Sequence, residues 1–216
     1  MTGWSKSCCE FMETVVFPAD NVDAIPRALE LLKHGGLIAF PTDTVYGVGA
    51  LAFDAKAVES IYAAKNRPVD KAIPILIGGP EDLDKIAVEL TLMAVKLAAR
   101  FWPGALTLVV PKHPNLPDVV SATPTVGVRV PDHPAARALL TAAGPMAVTS
   151  ANISGEASPR TAEEVSRQLN GRIPLILDGG GTPGGVPSTV VNCLGTEPVI
   201  LREGPITMED IQFVLR

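Results

Sequence analysis

The sequence predicts a single α/β domain built on a twisted, mixed sheet with flanking helices. Two patterns carry that expectation. Short apolar runs alternate with helical periodicities along most of the 216 residues. Several strand pairs lack an intervening helix, which a purely parallel sheet requires. A third observation, the absence of internal repeats and low-complexity linkers, favours one domain over two. The expected division is an N-terminal tail over 1–21 and a catalytic domain over 22–216.

The elements follow in order. A short strand is possible within the tail at Thr14 to Phe17. Asp23 can cap a helix carrying Ile25, Leu29 and Leu32, which Gly35-Gly36 stops. Leu37 to Phe40 is a strand ended by Pro41, and Asp54 starts a helix with Ala57, Val58, Ile61 and Ala64 on one face. Ile73 to Ile77 reads as a buried strand; Pro80 to Val88 and Thr91 to Phe101 read as helices. Strands are expected at Leu106 to Val110, Val126 to Val130 and Met146 to Thr149, and helices at His133 to Ala143 and Thr161 to Leu169. Leu175-Ile176-Leu177, Thr189-Val190-Val191 and Val199-Ile200-Leu201 are the last strands, and Thr207 caps the final helix.

Composition removes several classes. Hydrophobic residues are 47% and charged residues 19%, the balance of a globular chain rather than a disordered one. The net charge of -5 argues against RNA binding through an overall field, so a polyanion site has to be a local Lys/Arg cluster in a concave surface. Adjacent Cys8 and Cys9 are badly placed for a mutual disulfide, and neither they, Cys193 nor the scattered His34, His113 and His133 form a metal-ligand spacing. No metal site of the protein's own is expected. No long apolar stretch suggests a signal peptide or membrane span. The expected location is the cytoplasm, with no membrane or DNA partner.

Five segments place polar residues directly after apolar strands, where open α/β sheets build their sites. Pro41 to Gly49 brings Thr42, Asp43, Thr44 and Tyr46; it could hold a small polar substrate or be a capped turn. Lys65 and Arg67, with Lys71 behind them, suit a polyphosphate, though Lys65 could also simply end a helix. Thr107 lies on a strand after Phe101-Trp102, and Phe101 reads as core. Arg129 interrupts an apolar strand; if buried it needs an anionic partner, so a ligand, an internal carboxylate and an exposed face all remain open. Ser150, Asn152 and Ser154 alternate after another strand, offering hydroxyls and an amide to a phosphate or base, or to a turn. The Gly-rich run Gly179 to Gly185 precedes Ser188 but lacks the Walker ending, so a nucleotide wall and a connecting loop both remain open. No nucleophile elbow or HExxH is present, and the inventory favours orientation and electrostatics over general bases.

Together the strings FPTDTVYGVGA, AKNRPVDKAIPILI, FWPGALTLVV, VGVRVP, TSANISG, PSTVV and ILREG, from Phe40 to Gly204, resemble the threonylcarbamoyl-AMP synthase (YrdC-like) family in order and content. The resemblance implies a large cationic cleft. It implies that L-threonine, bicarbonate and ATP, with Mg²⁺, give threonylcarbamoyl-adenylate and pyrophosphate. A downstream threonylcarbamoyl-transferase complex then modifies tRNA beside the anticodon. By motif, Lys65 and Arg67 are the catalytic candidates. Lys65, Arg67, Lys71, Thr107, Arg129, Ser150, Asn152 and Arg202 match ATP-side positions; Thr42, Thr44, Tyr46 and Ser188 match the threonine pocket. Leu76 stands where some relatives carry His. No second C-terminal domain is expected after the last helix. The alternatives are a non-catalytic double-stranded RNA or tRNA-binding module and a carbamoyltransferase for another acceptor.

Overall fold

A computed structural model describes residues 13–183 and 185–216. Cys8, Cys9 and Gly184 lie outside the described residues. Ten strands form one sheet in the order β1-β8-β2-β3-β7-β4-β6-β5-β9-β10. The strands are β1 Val15–Pro18, β2 Ile38–Phe40, β3 Gly47–Leu51, β4 Ile75–Leu76, β5 Leu106–Pro111, β6 Thr125–Arg129, β7 Met146–Ser150, β8 Leu175–Asp178, β9 Thr189–Asn192 and β10 Val199–Arg202. The helices are α1 Ala24–Lys33, α2 Ala55–Lys65, α3 Leu92–Phe101, α4 Pro134–Ala143, α5 Ala162–Leu169 and α6 Met208–Leu215. Strands β1, β8 and β2 run parallel, as do β4 with β6 and β5 with β9, while β2-β3, β3-β7, β7-β4, β6-β5 and β9-β10 pair antiparallel. The sheet is mixed, as the missing crossover helices require. It takes in β1, from within the expected tail.

Several helix ends are built as the sequence implies. Asp54 accepts the Ala57 N–H at 3.0 Å, and Thr207 with Asp210 closes a capping box on α6. Asp23 differs. It sits at the N-cap of α1 in a helical rather than extended backbone conformation, and its side chain makes no capping hydrogen bond. The buried face of α1 is Ala24, Ala28 and Leu32, not Ile25 and Leu29. The strand expected at Ile73 to Ile77 pairs only at Ile75 and Leu76, and Pro80 to Lys85 is a 3-10 helix.

Strand β3 is not expected from the sequence, because Gly47 and Gly49 weaken any strand pattern. They belong there for a packing reason. A Cβ on Gly47 would meet Val148 Cγ1 at 2.7 Å, and one on Gly49 would meet the Ala147 carbonyl oxygen at 2.6 Å.

The helices cover the two faces unequally, and that inequality makes the site. On one face Leu106, Leu108, Val126, Val128 and Val191 pack into a core with residues of α2, α3, α5 and α6. On the other, α1 and α4 bury Ile38, Phe40, Leu76, Met146, Leu175 and Leu177. Those two helices stop at the β1-to-β4 half. The alternate residues Thr107, Val109, Gly127, Arg129 and Val190, from β5, β6 and β9, therefore line an open cavity. Among the described residues, no helix is long and apolar enough to cross a membrane.

Candidate active site

The cavity holds about 310 Å³, at the lower end of small-molecule sites. Leu76, Val109, Val148 and Val190 give it an apolar floor; Thr42, Thr44, Thr107, Thr149, Ser150 and Ser188 supply hydroxyls; Arg67, Arg129 and Arg202 supply charge. Among the described residues no carboxylate is part of its lining. Residues from seven separate segments meet because antiparallel and parallel pairing place β4, β5, β6, β7 and β9 side by side.

The turn before β3 forms one wall. Thr42 Oγ1 donates to the Val45 carbonyl at 2.7 Å and accepts the Thr44 and Val45 amides, so its hydroxyl is largely spent on the turn. Thr44 Oγ1 lies 3.0 Å from Thr42 Oγ1 and accepts Arg129 Nη1 at 3.0 Å. Arg129 is 5% exposed. Its Nη2 donates to Asp43 Oδ1 at 2.5 Å and its Nε to the Gly104 carbonyl at 2.8 Å. Burial foremost, with Arg202 adding, lowers the guanidinium pKa, and the Asp43 carboxylate offsets only part of this; arginine stays charged. The anion that Arg129 demanded is thus an internal carboxylate. Asp43 belongs to the polar segment after β2 but is not among the binding residues expected from the sequence; the arginine in an apolar strand is the signal that points to it.

Lys65 stands behind the wall rather than in it. The side chain is 1% exposed, and its Nζ donates to the Ser150 and Asn152 carbonyls, fastening that loop to the end of α2. Burial, then repulsion from Arg67, pushes its pKa down to about 7. Asn152 is buried outside the lining; its Nδ2 donates to the Ile153 and Glu156 carbonyls, and its Oδ1 has no hydrogen-bond partner among the described residues. Ser150 does line the cavity. Arg67 also lines it, held by the Lys71 carbonyl at 3.2 Å from Nε and the Ala72 carbonyl at 2.9 Å from Nη2. The Lys71 side chain is exposed and outside the lining, so only its backbone serves the site.

The opposite wall joins β5 to the β9 strand start. Thr107 Oγ1 and Ser188 Oγ are 2.8 Å apart, and Arg202 grips the Ser188 carbonyl through Nε at 3.0 Å and Nη2 at 2.8 Å. Burial, then Arg67, lowers the Arg202 pKa, which puts these two cations within electrical reach of each other. Gly204 allows this wall to close, since a Cβ there would lie 2.3 Å from the Thr189 nitrogen. Tyr46 is absent from the lining. It is fully buried, and its hydroxyl donates to the Gly180 carbonyl at 2.7 Å, anchoring the start of the Gly-rich run. Burial foremost, with Asp178 adding, raises its pKa to about 12, so it remains a neutral hydrogen-bonding post. Among the described residues no cluster of three His, Cys, Asp or Glu could hold a metal.

Fold and cavity together define an α/β protein with an arginine- and hydroxyl-lined cleft. Residues 30–204 match the Sua5/YciO/YrdC family model, described as "Telomere recombination", and the chain belongs to that family. It is 46% identical over 198 residues to the threonylcarbamoyl-AMP synthase of Bacillus subtilis, covering 90% of this chain and 57% of that protein. The Pyrococcus abyssi threonylcarbamoyl-AMP synthase is 45% identical over 190 residues, covering 87% of this chain and 56% of its own length. The chain therefore spans a little over half the length of these relatives. Among solved structures, P. abyssi Sua5 complexed with L-threonine superposes with a TM-score of 0.88 at 42% identity, over 94% of this chain and 60% of that one. E. coli YciO gives 0.80 at 28% identity, over 92% and 98%.

Proposed function

We propose that this chain is an L-threonylcarbamoyladenylate synthase, a nucleotidyltransferase acting in tRNA modification. The observation that carries the reading is the convergence of Thr44, Thr107, Ser150 and Ser188 with Arg67 and Arg202 in one cleft. The 42%-identical structure with L-threonine bound supports an amino acid as the ligand beside the hydroxyls.

The proposed chemistry has two steps. The threonine amine, once deprotonated, attacks the carbon of bicarbonate; water leaves and a carbamate forms. A carbamate oxygen then attacks the α-phosphorus of ATP, and the bond to the bridging oxygen breaks to release pyrophosphate. The chain's contribution is orientation and charge. Hydroxyls on both walls fix the polar ends of threonine while Leu76, Val109 and Val148 offer apolar surface to its methyl group. Arg67 and Arg202 compensate charge on the triphosphate. Lys65 acts as a positioning residue, holding through the Ser150 and Asn152 carbonyls the backbone that presents Ser150 to the cleft. A partly closed cleft also protects a carbamate that water destroys.

Among the described residues the lining offers hydroxyls and guanidinium groups but no carboxylate, a donor set that does not suit a resident Mg²⁺. Mg²⁺ enters this proposal as part of the MgATP substrate, held by phosphate oxygens. The downstream consumer is a threonylcarbamoyl-transferase complex acting on tRNA, and a cytoplasmic location fits that use.

Mass spectrometry after incubation with MgATP, threonine and bicarbonate tests the reading. Threonylcarbamoyl-AMP and pyrophosphate are expected, and omission of either threonine or bicarbonate should abolish the adenylate. Adenylate formed without threonine would overturn the assignment. Salt-sensitive RNA affinity with no threonine-dependent turnover would support the RNA-binding alternative instead.

Gly127 gives a second test. A Cβ there would meet Thr107 Cγ2 at 3.1 Å and Pro74 Cβ at 3.3 Å, so a valine would fill the cavity floor. Gly127→Val should weaken threonine binding at least about tenfold, because overpacked methyl groups cannot be absorbed without displacing Thr107. Calorimetric titration of threonine reads this directly; wild-type affinity would remove Gly127 from the ligand site.

A further inference from the structure

The three arginines of the cleft are not equivalent. Arg67 and Arg202 hydrogen-bond only to carbonyl and hydroxyl oxygens, and among the described residues neither forms an ion pair. Arg129 lines the same cavity but is ion-paired to Asp43. The carboxylate that neutralises it is itself fixed, since Asp43 Oδ1 also accepts the Asp132 amide at 3.0 Å. Three of the five Arg129 N–H groups are committed, to Gly104, Thr44 and Asp43, which leaves two N–H without net charge behind them.

We infer that Asp43 is a positioning residue that divides the cleft electrostatically. By neutralising Arg129 it leaves Arg67 and Arg202 as the seat of the polyphosphate. The Arg129 side, beside Thr44, becomes a rigid but electrically neutral donor surface suited to a zwitterionic amino acid. This rests on the reading of the cleft given under Proposed function, and it alters one role expected from the sequence: Arg129 is not a phosphate anchor. The division has a chemical use. A third cation without an ion-pair partner would strengthen the hold on pyrophosphate, the product that has to leave; Asp70 acts on Arg67 only at longer range, whereas Asp43 touches Arg129.

The test measures pyrophosphate binding, which needs no turnover. Removing one negative charge several ångströms from the bound anion should tighten its binding about tenfold or more at low salt. Asp43→Asn is therefore expected to lower the pyrophosphate dissociation constant by that factor. Its threonine KM should rise and its kcat fall, because Arg129 and Thr44 lose their fixed aim. A merely structural role would weaken both ligands together. The double variant Asp43→Asn/Arg129→Gln removes both charges and should bind pyrophosphate as wild type does. Unchanged or weaker pyrophosphate binding in Asp43→Asn overturns the inference. So does a large loss in the double variant, which would make Arg129 the phosphate anchor; this arm serves even where the single variant does not fold. A wild-type protein that binds both ligands without forming an adenylate would defeat the proposed reaction and leave this division of the cleft standing.

Discussion

Arg67→Ala is expected to cut threonine-dependent pyrophosphate release by about 100-fold or more while the protein stays folded. The guanidinium lines the cleft without an ion-pair partner among the described residues, Asp70 acting on it only at longer range, and is already immobilised by the Lys71 and Ala72 carbonyls. A pre-oriented donor of this kind acts where phosphate charge develops and costs no reorganisation at that moment. The structural cost of its loss is smaller. Two backbone hydrogen bonds at a half-exposed position contribute about 1 kcal/mol each, which corresponds to only a few degrees of Tm in a chain of this size. Arg67→Lys should recover little, since an ammonium cannot span both carbonyls and a phosphate. Steady-state pyrophosphate release with a parallel thermal melt checks both halves. Wild-type turnover in Arg67→Ala would remove it from the site.

Arg129→Ala is expected to show the largest stability effect. The pair it forms with Asp43 is buried on the arginine side and half closed on the other, with side-chain exposures of 6% and 15%. Breaking one partner of such a pair leaves an uncompensated carboxylate and costs about 3–5 kcal/mol. For a domain of this length that is a Tm decrease of about 10 °C. Activity falls as well, because Thr44 loses the donor that orients its hydroxyl. Combining Arg129→Ala with Asp43→Asn should return a good part of the lost stability, because the orphaned charge is gone; a double-mutant cycle measures that coupling. Equal melting of wild type and Arg129→Ala would mean that the buried pair carries no stability.

Arg129 also marks where local sequence stops being sufficient. An arginine between Val128 and Val130 announced that an anion had to be near. It could not say whether that anion was a ligand or Asp43, 86 positions earlier in the chain. Lys65 and Tyr46 are similar. Their motifs put them in a binding set, but the side chains run to the Ser150 and Asn152 carbonyls and to the Gly180 carbonyl, behind the cavity surface. Gly47 and Gly49 concealed a central strand because their purpose lies on β7, in the room needed by Val148 and Ala147.

What the amino-acid order determined by itself was whatever depends on near neighbours. Apolar periodicity placed most strands and helices, Asp54 and Thr207 marked helix starts, and the spacing of seven motifs carried the family resemblance. Tertiary structure alone decided which face of the sheet stays bare, which arginine is neutralised and which polar groups reach the cavity. The physical reason is range: capping and periodicity are settled within a few residues, whereas charge pairing and burial depend on which distant strands become neighbours.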